Sequence, residues 1–210
     1  MNISIAPGST VLFIGDSITD CDRDRDSPDS LGAGYVAMAA GWFATRHPGS
    51  RVRFVNRGIG GDRVVDLHAR WDTDCLAVKA DLVSVLVGIN DVWGRYERDD
   101  PTPPDTFAEH YRTILDRAAG QGAALILVEP FLLPAREQLW ARREDLDPKI
   151  GVVRRLAAEF GAALVPADGV MAAATAASGP HEWSPDGVHL TPAGHALLAQ
   201  AWLRAAGVVC

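Results

Sequence analysis

Four short segments carry residue types that together can cleave an acyl bond. Ser17 follows the apolar run Val11-Leu12-Phe13-Ile14 and the glycine at position 15, so a hydroxyl stands just beyond a buried-looking stretch. A serine hydroxyl is a weak nucleophile until a base removes its proton and donors hold the charge that develops on the attacked carbonyl oxygen. Toward the other end, Asp186 and His189 stand three positions apart in Trp183-Ser184-Pro185-Asp186-Gly187-Val188-His189. An imidazole there can take the serine proton while the carboxylate orients the ring and stabilises its charged form. The pair also reads as a plain surface loop or as two metal ligands, although no further ligand type stands at a recognisable spacing. Asn56-Arg57-Gly58-Ile59-Gly60-Gly61-Asp62 has the glycines needed to aim backbone N–H groups at an anion. A simple turn is one alternative. A dinucleotide fingerprint is another, disfavoured by the Gly-x-Gly-Gly spacing. Asn90, in Val87-Gly88-Ile89-Asn90-Asp91, offers a side-chain NH₂ to an oxyanion, or alone caps a turn.

These residues need a frame. Short β-rich runs at 11–14, 52–56, 82–87, 124–129 and 163–166 alternate with helical patterns at 33–46, 63–79, 105–119, 136–160 and 192–206. The first, third and fourth runs are apolar without alternation, as strands covered on both faces are. Asp105 is the expected N-cap of the third helix, with Gly120 and Gly122 closing it, and Thr191-Pro192 opens the last. This alternation predicts an α/β fold: one domain over 1–210, with helices on both faces of a five-stranded parallel sheet joined by right-handed crossovers. Ligands in such sheets bind beyond the carboxyl ends of the strands, where three of the four segments fall. Irregular stretches at 20–32 and 94–105 are expected to rim the site.

Composition narrows the partners. A formal charge of -7 over 210 residues, with no basic stripe, argues against nucleic acid or an anionic membrane as main partner. No apolar run suffices for a bilayer span, and the N-terminal residues lack the pattern of a secretory signal. Cys21, Cys75 and Cys210 are an odd set without a CxxC, which suggests reduced thiols and a cytoplasmic location. The Asp20–Asp26 run, with arginines between its carboxylates, reads as a solvated loop and not a calcium loop. Cys21 reads as packing. His181 and His195 lie near the catalytic loop but lack the aspartate three residues before them that His189 has.

Taken in order, Gly15-Asp16-Ser17-Ile18-Thr19, Gly58-Ile59-Gly60-Gly61-Asp62, Gly88-Ile89-Asn90-Asp91 and Asp186-Gly187-Val188-His189 resemble the SGNH hydrolases, the GDSL-type lipase/esterase family, from about residue 10 to residue 205. The resemblance implies a three-layer α/β/α sandwich of flavodoxin-like type. It implies Ser17 as nucleophile, His189 as general acid/base and Asp186 as its partner. The oxyanion hole would be the N–H of Ser17, the N–H of Gly61 and the Asn90 amide. No metal or organic cofactor would be required. Gly32-Ala33-Gly34-Tyr35-Val36, Ala69-Arg70-Trp71, Gly88–Trp93 and Ala193-Gly194-His195 further resemble the acetylxylan esterases of this family. That likeness implies release of acetyl groups from xylose units. Trp93 and Trp183 flank the asparagine and the Asp–His pair in sequence, and with Tyr35 they are candidate substrate contacts, since aromatic walls suit a sugar face or a small acyl slot; core packing is the alternative for both tryptophans and the favoured reading of the tyrosine. Esters or thioesters of longer acyl chains, and a non-catalytic sugar-binding module on the same fold, are the alternatives. Assembly of identical copies is left open.

Overall fold

A computed structural model describes residues 3–208, so the expectation for Cys210 lies outside the described residues. Five strands form one parallel sheet: β1 (Thr10–Gly15), β2 (Arg53–Gly58), β3 (Leu82–Leu86), β4 (Ala124–Val128) and β5 (Ala163–Val165). Their order across the sheet is β2-β1-β3-β4-β5, every neighbouring pair parallel. The chain steps outward from β1 to β2, then returns past β1 to β3. Strand order therefore reverses between β1 and β3, which opens a crevice beyond their carboxyl ends.

Successive β1 side chains point to opposite faces, and both faces are buried. Val11 and Phe13 join one core with Val36, Ala39 and Phe43 of α2 (Tyr35–Arg46), Met171 of α8 (Ala167–Ser178), and Leu198 and Trp202 of α9 (Pro192–Ala205). Leu12 and Ile14 join the other, with Leu67 of α3 (Val64–Ala69), Trp71 of α4 (Trp71–Asp74), and Phe107, Tyr111 and Ile114 of α6 (Pro104–Gly120). α7 (Arg143–Glu159) reaches both: Leu146 and Ile150 lie in the first core, Val152 and Leu156 in the second. This is the expected three-layer sandwich.

The helices depart from expectation in several places, one being α5 (Ile89–Glu97), which follows β3 where no helix was expected. The 63–79 pattern breaks into α3, α4 and a 3₁₀ turn at Leu76–Val78, with Arg70 between the first two. The 136–160 pattern is a 3₁₀ turn, Glu137–Arg142, before α7. α8 follows β5 through twelve residues that include six alanines; helix propensity, not a strong apolar stripe, forms it. Asp105 is not a cap: Pro103 holds that position, Pro104 opens α6, and Asp105 stands in its acidic first turn. Thr191 does cap α9, accepting the Gly194 N–H at 3.2 Å.

Candidate active site

The turn after β1 is built for Ser17. Gly15 has to be glycine, because a Cβ there would lie 2.1 Å from the Leu86 carbonyl oxygen on the neighbouring strand. The backbone then enters a single helical turn, α1 (Ser17–Asp20), capped by Asp16 Oδ1, which accepts the Ile18 N–H at 3.0 Å. Ser17 is the first residue of that turn, where an N–H has no helical acceptor. Among the described residues, the Ser17 N–H donates to no protein group. Asp16 is fully buried with Oδ2 unpartnered. Burial, and secondarily the carboxylates of Asp91 and Asp62, push its pKa up to about 7.

Ser17, His189 and Asp186 form a continuous hydrogen-bonded chain although 172 positions separate the first two. Ser17 Oγ lies 3.2 Å from His189 Nε2, and His189 Nδ1 lies 2.6 Å from Asp186 Oδ2. With Nδ1–H donating to the carboxylate, Nε2 is left to accept the serine proton. Asp186 Oδ1 accepts the N–H groups of Val188 at 2.9 Å and His189 at 2.8 Å, so the whole loop is wound around one carboxyl group. Partial burial works to raise the Asp186 pKa. The bonds from the His189 ring and the two N–H groups outweigh it and hold the group below its ordinary value. Ser184, which no sequence pattern singles out, is buried beneath this loop; its hydroxyl accepts the Gly187 N–H at 2.9 Å and donates to the His189 carbonyl at 2.8 Å.

The glycine-rich loop after β2 lies against Ser17: a Cβ on Gly60 would sit 3.7 Å from Ser17 Cβ. Gly61 has φ +90°, a left-handed conformation that favours glycine, and nothing lies within 4 Å of the position a Cβ would take. Its N–H donates to no group among the described residues. Asn90, on α5 (Ile89–Glu97), spends one amide hydrogen on the Asp62 carbonyl at 3.0 Å. An amide NH₂ has two, so the second remains. The site thus offers three donors from three strand ends beside one hydroxyl and one base.

A cavity of about 360 Å³ opens at Ser17, lined by Asp20, Cys21, Asp22, His189 and His195 among others. Asp22 and its neighbours belong to the 20–32 stretch, whereas none of the cavity lining comes from 94–105, whose first residues, 94–97, belong to α5. His195 is almost fully buried; its Nδ1 accepts the Tyr35 N–H at 3.2 Å and its Nε2 lies 3.3 Å from Cys21 Sγ. Burial, aided by His189, pushes its pKa down to about 4, so it is neutral in ordinary buffers and braces the wall. Burial raises the Cys21 thiol, which leaves it protonated, in keeping with a packing role.

The expectation that Tyr35 meets substrate is corrected. Its ring is fully buried edge-on against Phe13, and its hydroxyl lies 3.1 Å from Thr19 Oγ1. Positions 35, 39 and 43 form the buried face of α2, which claims the tyrosine for the core. Trp93 and Trp183 are absent from the lining of the Ser17 cavity, as are Gly61 and Asn90. The Arg142 guanidinium lies 4.0 Å from the Trp93 ring centre, and Trp183 Nε1 donates to Ser178 Oγ at 2.9 Å.

Ser17, the glycine loop, Asn90 and the Asp186–His189 loop all stand at the carboxyl edge of this sheet, an arrangement that fits an acyl-ester hydrolase. The profile of the GDSL-like lipase/acylhydrolase family matches residues 13–197, and the chain belongs to that family of carboxylic ester hydrolases. It is 36% identical to an acetylxylan esterase of Geobacillus stearothermophilus, over 98% of this chain and 97% of the relative. Among solved structures it is similar to LAE5, an alpha/beta hydrolase from the metagenome of Lake Arreo in Spain, with TM-score 0.92, 32% identity and 98% of each chain covered. It is similar also to a variant of an acetyl-xylooligosaccharide esterase from Geobacillus, with TM-score 0.91, 35% identity and 98% and 97% of the two chains covered. No helix among the described residues is long and apolar enough to cross a membrane.

Proposed function

We propose that the chain removes short acyl groups, acetyl foremost, from hydroxyls of carbohydrates such as xylo-oligosaccharides, through an acyl-serine intermediate. The observation that carries this reading is the Ser17–His189–Asp186 chain at 3.2 and 2.6 Å, standing beside three donors with hydrogens to spare. His189 Nε2 takes the proton as Ser17 Oγ attacks the ester carbonyl. The N–H groups of Ser17 and Gly61 and the Asn90 amide receive the oxyanion. Collapse expels the sugar oxygen, which takes the proton from His189. Water then repeats the sequence on the acyl-serine, releasing the acid and restoring the hydroxyl. The chain's own groups complete the cycle.

Two facts support the choice of alcohol and acyl group. Polar side chains line much of the Ser17 cavity, which suits a hydroxyl-rich alcohol better than a long alkyl chain. The similar proteins are described as acetylxylan and acetyl-xylooligosaccharide esterases. The test is hydrolysis of acetate, butyrate and octanoate esters of one alcohol, run beside acetate release from acetylated xylo-oligosaccharides. The proposal expects acetate esters to lead and the oligosaccharides to surpass simple esters in kcat/KM. A preference for octanoate would replace it with a lipase or thioesterase reading.

A further inference from the structure

Arg70 takes no part in the proton transfers above, yet it reaches the segments that carry all three oxyanion donors. It stands between α3 and α4 with its side chain 14% exposed. Its Nε donates to Asp62 Oδ2 at 2.7 Å, its Nη2 to the Gly15 carbonyl at 3.2 Å and its Nη1 to Asp74 Oδ2 at 2.8 Å. Gly15 ends β1 two residues before Ser17, and Asp62 directly follows Gly61. The main-chain carbonyl of that same Asp62 accepts the Asn90 amide. One planar cation therefore ties together the backbone that presents the N–H at 17, the N–H at 61 and the amide at 90.

We propose that Arg70 is a positioning residue that sets the spacing among these three donors, and so acts on the transition state and not on substrate binding. The proposal rests on the reading of the site given under Proposed function. A guanidinium suits the task because its donors project in a rigid fork, here spread over three acceptors on three segments. The ammonium of lysine is a point charge on a flexible stem and cannot span them. Asp74 holds the outer edge of the fork, which stops the group from swinging away. The Ile59 N–H also bonds to the Gly15 carbonyl, at 2.9 Å, so the near end of the glycine loop is tethered without Arg70. The far end is joined to Ile59 by the Asp62 N–H at 3.2 Å, and its carboxylate is the group that arginine holds to β1. Its loss would let Gly61 and Asn90 drift together relative to Ser17, while the Ser17–His189–Asp186 chain, on the other side of the serine, stays intact.

The test uses Arg70→Lys, Arg70→Met and Asp62→Ala, each compared with the parent on a soluble acetate ester. A short alkylboronic acid, which forms a tetrahedral adduct on the serine, serves as a mimic of the transition state. Oxyanion contacts form fully only in the transition state, so kcat should fall about 10- to 100-fold while KM stays within about twofold. Affinity for the boronic acid should fall by the same factor as kcat/KM, and Lys should rescue no better than Met. The proposal is overturned if folded variants keep kcat, if boronic acid affinity is unchanged while kcat falls, or if KM absorbs the loss. If neither Arg70 variant folds, Asp62→Ala, which removes the acceptor of the Arg70 Nε–H, decides on the same readouts. Labelling of the parent by a fluorophosphonate separates the two levels: failure at Ser17 sinks the site reading, whereas labelling with unaffected variants sinks only the role of Arg70.

Discussion

Asn90→Ala separates the structural bond of one side chain from the oxyanion role proposed for it. In the resting protein the amide donates a single hydrogen bond to the Asp62 carbonyl at 3.0 Å, partly buried. Losing such a bond costs about 1 kcal/mol of stability. Under the proposed mechanism the second amide hydrogen receives the tetrahedral oxyanion, and losing one such donor costs about 3 kcal/mol of transition-state stabilisation, a 100- to 1,000-fold fall in kcat. Ground-state binding does not use it, so KM should hold within about threefold. The assay is steady-state hydrolysis of a chromogenic acetate ester, with kcat and KM resolved separately, alongside urea unfolding of parent and variant. The expected pattern is a large kinetic loss beside a small loss of stability. Full kcat, or a fall in kcat/KM expressed entirely in KM, would refute the assignment. A loss of stability near 3 kcal/mol with little kinetic effect would make Asn90 a structural residue only.

Three other outcomes follow from particular contacts. Asp186→Asn should lower kcat about 10⁴-fold at neutral pH, because an amide no longer fixes the tautomer that leaves Nε2 free to accept; activity within tenfold of the parent would contradict this. Gly15→Ala places a methyl group 2.1 Å from backbone and should cost about 3 kcal/mol or more, read as the shift of a denaturant midpoint; unchanged stability would mean β1 and β3 do not approach so closely. Asp16 and Asp91, both raised to about 7 by burial, bind protons more tightly folded than unfolded. Stability should therefore fall as pH rises from about 4 to about 7, by up to about 1.4 kcal/mol per unit for each group. Asp16→Asn keeps an acceptor for Ile18 and removes one of these protons, so its unfolding free energy should depend less on pH over that window; an unchanged slope would contradict the burial argument.

The fold was legible because its chemistry and its hydrophobic pattern coincide. Val11–Phe13 reads as a doubly covered strand, and Ser17 lies where such a strand must turn. Asn90 and the glycine loop likewise follow apolar runs that had to be strands. The break at Arg70 was invisible, since the apolar positions of 63–79 continue in helical period across it. At the break Arg70 has φ −101° and ψ 8°, and its guanidinium turns inward to acceptors as distant in sequence as Gly15. Tyr35 carried two readings, cleft wall and core packing, and the structure bears out the packing. Its spacing to Ala39 and Phe43 was the better signal, since it placed the ring on the buried face of α2. The covering of Trp93 by Arg142 depends on a 3₁₀ turn far along the chain, which no local pattern announces. Ser184 escaped notice for a similar reason, as its bonds form only once the catalytic loop has closed over it.

The central claim is that Ser17 carries the acyl group, and covalent labelling tests it most directly. Treatment with a fluorophosphonate followed by peptide mass spectrometry should find one adduct, on Ser17, with esterase activity lost in step with labelling. Ser17→Ala should neither label nor hydrolyse. An adduct on another residue, or full activity after complete labelling of Ser17, would contradict the account.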